Sequence, residues 1–264
     1  TSAGSILAAG LAAYAARFRG GTAMLDRVWR GFHVGQVFRV DRPTMLRTGL
    51  HLMLALASGG FLLTPPRSVL DTTPLRRLLE WRINFARIRQ SLDAGHLDAL
   101  AITATSYTSG ESVSFVQAGL GFEPWAQAGR RGVATELGLD HLMASAAVPF
   151  LFPSVTMEGD HYGDGAMRQV TPLAPALRLG ADRILVVGVR EAGLAPLGAE
   201  IAGPPSLGQL FGFMLDTLFM EGLQADLERL ERTNELLSRQ PARASLGFRR
   251  VEPLVLLPRA DLSA

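Results

Sequence analysis

The chain has 264 residues, 48% of them hydrophobic and 19% charged, with a formal net charge of +2. It contains no cysteine, and all 26 basic residues are arginine, which excludes disulfides, thiol chemistry, cysteine-based metal sites and any lysine nucleophile or Ser–Lys dyad. The arginines are scattered rather than gathered on one face, so nucleic-acid binding is not indicated, and the length suits one α/β domain with a sizeable core.

In chain order, "TSAGSILAAGLAAYAARF" has the small-residue texture of a helix packed closely on a sheet. A helix is expected over residues 2–18, ended by Arg19-Gly20-Gly21. Residues 24–38 read as partly helical. The most apolar long stretch, "TGLHLMLALASGGFLL" at 48–63, reads as a cap or core helix. It is shorter than the roughly 20 residues that a spanning helix needs, and His51 and Gly59-Gly60 interrupt it. Asp71-Thr-Thr-Pro-Leu is a helix start, with Asp71 able to cap and Pro74 in the first turn. The helix that follows is expected to break near 82–84.

The period then changes. Residues 97–107 are apolar and β-branched, as a buried strand should be. "TSGES" turns the chain, and 113–117 alternate like a returning partner. Residues 137–147 resemble a helix and 148–155 a proline-bounded extended connection, with short strands flanking Gly159 and Asp160. A short helix over 172–179, a buried strand over 182–189, a long helix over 207–237 and a last strand over 252–258 complete the pass. The long helix is apolar in its first half and charged in its second. Helices alternating with buried strands give an α/β sheet with helices on both faces, and no repeat or linker divides the chain.

Two short stretches carry chemistry. "TSAG" at 1–4 matches the last four positions of G-x-S-x-G, in which a serine sits on a sharp strand-to-helix turn with small neighbours. The amide after the serine, here Ala3, can then donate to a developing oxyanion, and Gly4 is the closing glycine. A serine needs a base, yet the histidines are His33, His51, His96, His141 and His161. A Ser–acid–His triad needs a late histidine, whereas the last 103 residues (264 − 161) have none. The acid that stands out is Asp164 in "HYGDGAM", where Gly163 and Gly165 let the backbone approach a neighbour closely. A carboxylate beside a serine can itself act as general base. Taken singly, half an elbow motif and an Asp-Gly turn are both common.

Taken together, "TSAGSI", "TATSYTSGESVSF", "HLMASAAVPFLFPSV" and "YGDGAMRQVTPLAPALRLGADRILVVGV" occur in the order and approximate spacing of patatin-like phospholipases. The chain resembles that family over nearly its whole length. The resemblance implies a three-layer α/β/α fold with a central, mostly parallel sheet and a single domain over residues 1–264. It implies a Ser–Asp dyad, with Ser2 as nucleophile and Asp164 as general base. The Ala3 amide and Gly4 then belong to the oxyanion elbow, and Gly165 and Ala166 complete the D-G-[GA] motif. The substrate implied is a lipid acyl ester, of phospholipid or lysophospholipid, with no metal or organic cofactor. Peripheral membrane contact and a cytoplasmic or membrane-peripheral location of bacterial type fit the family, with secretion left open and oligomeric state not legible. Patatin-like proteins begin with a strand and a glycine-rich loop that supplies most oxyanion amides. Nothing like it precedes Thr1, so the expected fold lacks its first strand, and a chain starting at Thr1 is expected to have reduced esterase activity.

Blander readings attach to several residues. His141 and His161 are expected to be structural, Ser145 to pack or line a pocket, and "DHYGD" to be a turn between strands. Residues 48–63 or 207–223 could cover an acyl pocket or rest on a bilayer. Rival functions are an N-terminal nucleophile hydrolase using Thr1, which would need a strand there, and a malonyl-transferase-like acyltransferase, which would need a histidine partner. A catalytically impaired lipid-binding module is the non-enzymatic alternative.

Overall fold

A computed structural model describes residues 1–39, 68, 70–119, 121–169, 171–188, 204, 206–239 and 249–257. They fall into two compact units, Thr1–Arg168 and Gln169–Ala264, each with its own hydrophobic core.

In the first unit, helix α1 (Ser2–Ala12) buries Ser5, Ala9, Gly10 and Ala12. These small side chains let it lie close on its neighbours. The chain breaks after Ala12, makes one 3-10 turn at Ala15–Arg17, and enters helix α2 (Phe18–Arg30). The expected stop at Arg19-Gly20-Gly21 is therefore wrong, because these residues lie inside α2. Gly21 is buried, and a Cβ there would meet the Tyr14 Cβ at 2.8 Å. The glycine permits close packing instead of ending a helix.

Helices α3 (Thr73–Arg82) and α4 (Phe85–Asp93) follow the expected pattern. The Asp71 Oδ1 accepts from the Thr73 N–H at 2.9 Å and from its hydroxyl at 2.5 Å, and Pro74 sits in the first turn. The break falls where the sequence put it, with Asn84 capping α4 by accepting from the Arg87 N–H at 3.3 Å.

Six strands form one sheet in the order β3-β4-β2-β1-β6-β5. They are β1 (Ala99–Ser106), β2 (Ser112–Ala118), β3 (Trp125–Gln127), β4 (Arg130–Ala134), β5 (Val155–Met157) and β6 (Asp160–Asp164). The α/β class holds, and the sheet with its packed helices is consistent with α/β/α layering. The sheet is mixed rather than mostly parallel: among the described residues only β2 and β4 pair in parallel within it, and the other four pairings are antiparallel. Short hairpins impose three of the four antiparallel pairings, β1–β2, β3–β4 and β5–β6, while β1 and β6 pair across the chain. The β5–β6 turn has Glu158 at φ +53 and Gly159 at φ +82, the two left-handed residues that a type I′ hairpin needs. Strands β3 and β4 were not expected; both are short, and their arginine and glutamine content hides the alternation that marks a strand.

Helix α5 (Leu139–Ser145) is shorter than the 137–147 expected and packs on β1 and β6. Residues 148–154 turn rather than extend, with Phe150 at φ +65. Ile88, Ile102 and Leu142 are among the fully buried side chains of this unit's core.

The second unit contains α6 (Ala174–Arg178), β7 (Arg183–Val187), α7 (Leu207–Arg239) and β8 (Glu252–Leu256). Strands β7 and β8 pair in parallel. The buried strand expected at 182–189 is buried on one face only: Ile184 and Val186 face the core, while Leu185 and Val187 are 58% and 70% exposed. Residues 48–63 lie outside the described residues, as do most side chains of 207–221. Among the described residues, no helix is long and apolar enough to cross a membrane.

Candidate active site

Ser2 opens α1 at φ +48. This is the left-handed region, which costs a non-glycine residue about 1–3 kcal/mol and persists only where the surroundings hold it. Two hydroxyls do so. The Ser2 N–H donates to the Ser145 Oγ at 3.2 Å, and the Ser5 hydroxyl donates to the Ser2 carbonyl at 2.6 Å. Ala3 and Gly4 are exposed. As first-turn residues their N–H groups have no intrahelical acceptor. A Cβ on Gly4 would meet nothing within 4 Å, so packing does not demand glycine there.

Asp164 ends β6 and is 0% exposed. Its backbone is fixed on both sides. The N–H donates to the Ala147 carbonyl at 2.9 Å, and its own carbonyl accepts from the Thr105 hydroxyl at 2.8 Å. Oδ1 accepts from the Ala166 N–H at 2.9 Å. Oδ2 is buried and has no hydrogen-bond partner among the described residues. Burial pushes the Asp164 carboxyl above its ordinary range, opposed by the Ala166 N–H and then by the Ser2 hydroxyl. Ser2 thus stands near enough to favour the charged acid, yet has not closed a hydrogen bond onto Oδ2. Such bonds are often long in an unliganded site and tighten around substrate.

The two small residues after Asp164 have distinct jobs. A Cβ on Gly165 would collide with the Thr103 carbonyl oxygen and come within 2.7 Å of the Thr1 Cγ2. Only glycine fits this crossing of β1. Ala166 supplies the amide that holds Oδ1.

Asp160, at the other end of β6, has the opposite electrostatics. Burial would raise its pKa, but donors from Thr108, Ser106, the His161 N–H and Tyr162 outweigh this and lower it. The Ser106 hydroxyl reaches Asp160 Oδ2 at 2.7 Å and the His161 N–H reaches Oδ1 at 2.6 Å. A carboxylate so well satisfied is a poor base.

His141 and His161 are engaged elsewhere. His141 Nδ1 accepts from the Gly138 N–H at 3.0 Å, its ring lies edge-on to Phe115, and burial pushes its pKa down. The His161 Nδ1 pairs with the Thr156 hydroxyl at 2.9 Å. Neither is among the groups acting on Asp164.

Two residues near Asp164 and Ser2 were given no part in the chemistry by the sequence. Ser145, read as packing or lining a pocket, bonds the Ser2 backbone. Tyr107 lies over Gly163, where a Cβ would collide with its ring and hydroxyl, and it donates to the Met167 Sδ at 3.8 Å. Burial and then the Asp164 charge push the Tyr107 phenol up. No local pattern marks either residue, since each acts across pairings far apart in the chain.

Ser2, Ile6 and Gly10 stand in one row along α1 at helical i, i+4 spacing. Ile6 and Gly10 line an open apolar groove with Leu25, Trp29, Leu79 and Ile83.

The mixed six-stranded sheet with its packed helices is consistent with an α/β/α fold. The family model for patatin-like phospholipase matches residues 1–177 of the 264, and the chain belongs to that family, whose members are lipid acyl hydrolases. No curated protein matches the chain.

Proposed function

We propose that the protein is a serine acyl hydrolase that cleaves acyl esters of phospholipid or lysophospholipid through a Ser2–Asp164 dyad. The observation that carries the reading is the Asp164 carboxylate: buried, raised in pKa, and keeping Oδ2 unpartnered beside a serine held at positive φ. Buried acceptors are nearly always paired, and perturbed acids gather where protons move. The reading takes residues 1–264 as one patatin-like domain; the family match, over residues 1–177, crosses the boundary between the two units at Arg168 and stops short of the last 87 residues (264 − 177).

In the reaction, the Ser2 Oγ attacks the ester carbonyl carbon while Asp164 Oδ2 takes the hydroxyl proton. The carbonyl oxygen becomes an oxyanion, which the Ala3 N–H at the start of α1 stabilises. The C–O bond to the leaving alcohol breaks as Asp164 returns the proton to it, leaving Ser2 acylated. Water then attacks the acyl-enzyme with Asp164 again as base, which releases the fatty acid and restores Ser2. The acyl chain lies in the apolar groove that continues the Ser2 row along α1. The rival reading through Thr1 needs that residue on a strand, whereas α1 begins at Ser2.

A fluorophosphonate probe tests the proposal in the full-length protein. It should label Ser2, and Ser2→Ala and Asp164→Asn should each abolish labelling and ester turnover. Near-wild-type turnover in either variant sinks the dyad. Liposome binding without labelling would favour the lipid-binding module.

A further inference from the structure

We infer that Ser145 is a positioning residue for this reaction, its hydroxyl holding the Ser2 backbone in the attacking conformation. The inference rests on the acyl-hydrolase reading above. Ser145 is the last residue of α5 and is 0% exposed. Its Oγ accepts from the Ser2 N–H at 3.2 Å and donates to the Thr103 carbonyl at 2.7 Å. A hydroxyl has one proton, and a backbone N–H can only donate. The roles are therefore fixed, and the side chain has no freedom to rotate without losing both bonds.

The partners explain why this matters. Ser2 sits at φ +48, a conformation that lasts only where neighbours over-determine it. The bond from Ser145 is one of two that do so. Two residues on, the Ala147 carbonyl takes the Asp164 N–H at 2.9 Å. Residues 145–147 therefore grip the backbones of both reacting residues, which lie 162 positions apart (164 − 2). The Thr103 carbonyl that anchors Ser145 is the same oxygen that Gly165 leaves room for. One carbonyl of β1 thus accepts the Ser145 hydroxyl on the nucleophile side and lies hard against Gly165 on the acid side. A serine that merely filled space would need no polar atom, and alanine would serve there as well.

The test compares wild type with Ser145→Ala in the full-length protein. It measures melting temperature, kcat and KM on a p-nitrophenyl ester, and the rate of Ser2 labelling by a fluorophosphonate. Displacing a reacting atom by about 1 Å can cost on the order of 100-fold, so kcat and labelling rate should fall about 10- to 100-fold. KM should stay unchanged. The acid limb of the pH–rate profile should also stay in place, because Ser145 does not touch the Asp164 carboxylate. Wild-type kcat in a folded Ser145→Ala protein, even one with a lowered melting temperature, overturns the inference. If the alanine variant does not fold, Ser145→Cys carries the test. Its thiol is a weak acceptor, so reduced kcat at unchanged KM is expected, and wild-type kcat overturns it. Absence of labelling in the wild type would overturn the acyl-hydrolase reading itself, whereas normal labelling in both proteins removes only the role of Ser145.

Discussion

Replacing Asp164 with asparagine should raise the melting temperature while it removes activity. The carboxylate is fully buried; Oδ1 has the Ala166 N–H and Oδ2 has no partner among the described residues. Asparagine is nearly the same size, keeps an oxygen for Ala166, and presents an amide that the Ser2 hydroxyl oxygen can accept from. A buried polar atom without a partner costs about 1–3 kcal/mol, and more when charged. Relief of that amount should move the midpoint of a unit the size of Thr1–Arg168 by about 2–4 °C per kcal/mol, a rise of about 2–12 °C. Activity held in a destabilised acid is the usual exchange at a functional site.

The pH dependence gives the sharper check. Burial raises the folded-state pKa of Asp164 above its ordinary 3.8, so between the two values the folded chain binds more protons than the unfolded one. Stability of the wild type therefore falls as pH rises through that window and is level above the folded pKa. The asparagine variant has no such group. Its advantage should be full at neutral pH and should shrink to its charge-independent part as pH falls toward 3.8. Calorimetry of both proteins from about pH 4 to about pH 8 measures this directly. A variant less stable than wild type at neutral pH, or a gap that does not change with pH, would refute the reasoning.

With Asp164 as the base, kcat/KM should fall as pH drops through a pKa above the ordinary carboxylate range, and His141→Ala and His161→Ala should leave that limb in place; a limb that moves with either histidine contradicts the dyad. Gly165→Ala forces a Cβ onto the Thr103 carbonyl oxygen, whereas Gly4→Ala meets open space. The first should lose about 1–3 kcal/mol in denaturant titration together with most turnover, and the second should match wild-type stability; equal behaviour of the two would show that the crossing at Gly165 is not tight. Ile6→Trp fills the groove one turn from Ser2, so kcat/KM for a dodecanoyl ester should fall about tenfold or more while that for a butyryl ester is retained. A parallel loss on both esters would place the acyl chain elsewhere.

Much of this arrangement was legible in the sequence, for reasons particular residues make plain. The break at Asn84 and the start at Asp71 are written in local capping chemistry, and β1 in a run rich in apolar and β-branched residues. The proposed pairing of Ser2 with Asp164 could be reached only through the resemblance, because 162 positions separate them (164 − 2) and no periodicity spans that distance. The stop expected at Gly20-Gly21 failed because glycine has two uses, and here the contact with Tyr14 decided between them. The antiparallel majority in the sheet was hidden for a related reason: alternation shows that a strand exists but says nothing of its direction. Strands β3 and β4 take their place from pairing with β2, which local propensity does not encode.

Within "DHYGD" the limit of sequence reading becomes a physical statement. Strand alternation puts Asp160 and Asp164 on one face of β6, with Tyr162 between them, so by pattern the two acids are equivalent. Their donors make them differ. Asp160 meets Ser106 and Thr108 at the end of β1, and its charge is stabilised into a structural clasp. Asp164, pinned by its backbone to Ala147 and Thr105, receives one amide on Oδ1 and none on Oδ2. Asp164 is fully buried and Asp160 only partly, yet it is Asp160 that has the fuller set of hydrogen bonds. The clasp fixes the end of β1 opposite β6, and that fixed register (Ala104 opposite Asp164) is what holds the second carboxylate in its unsatisfied place. The acid that stabilises the hairpin and the acid proposed to move protons are thus two parts of one device, with the first making the second's position affordable.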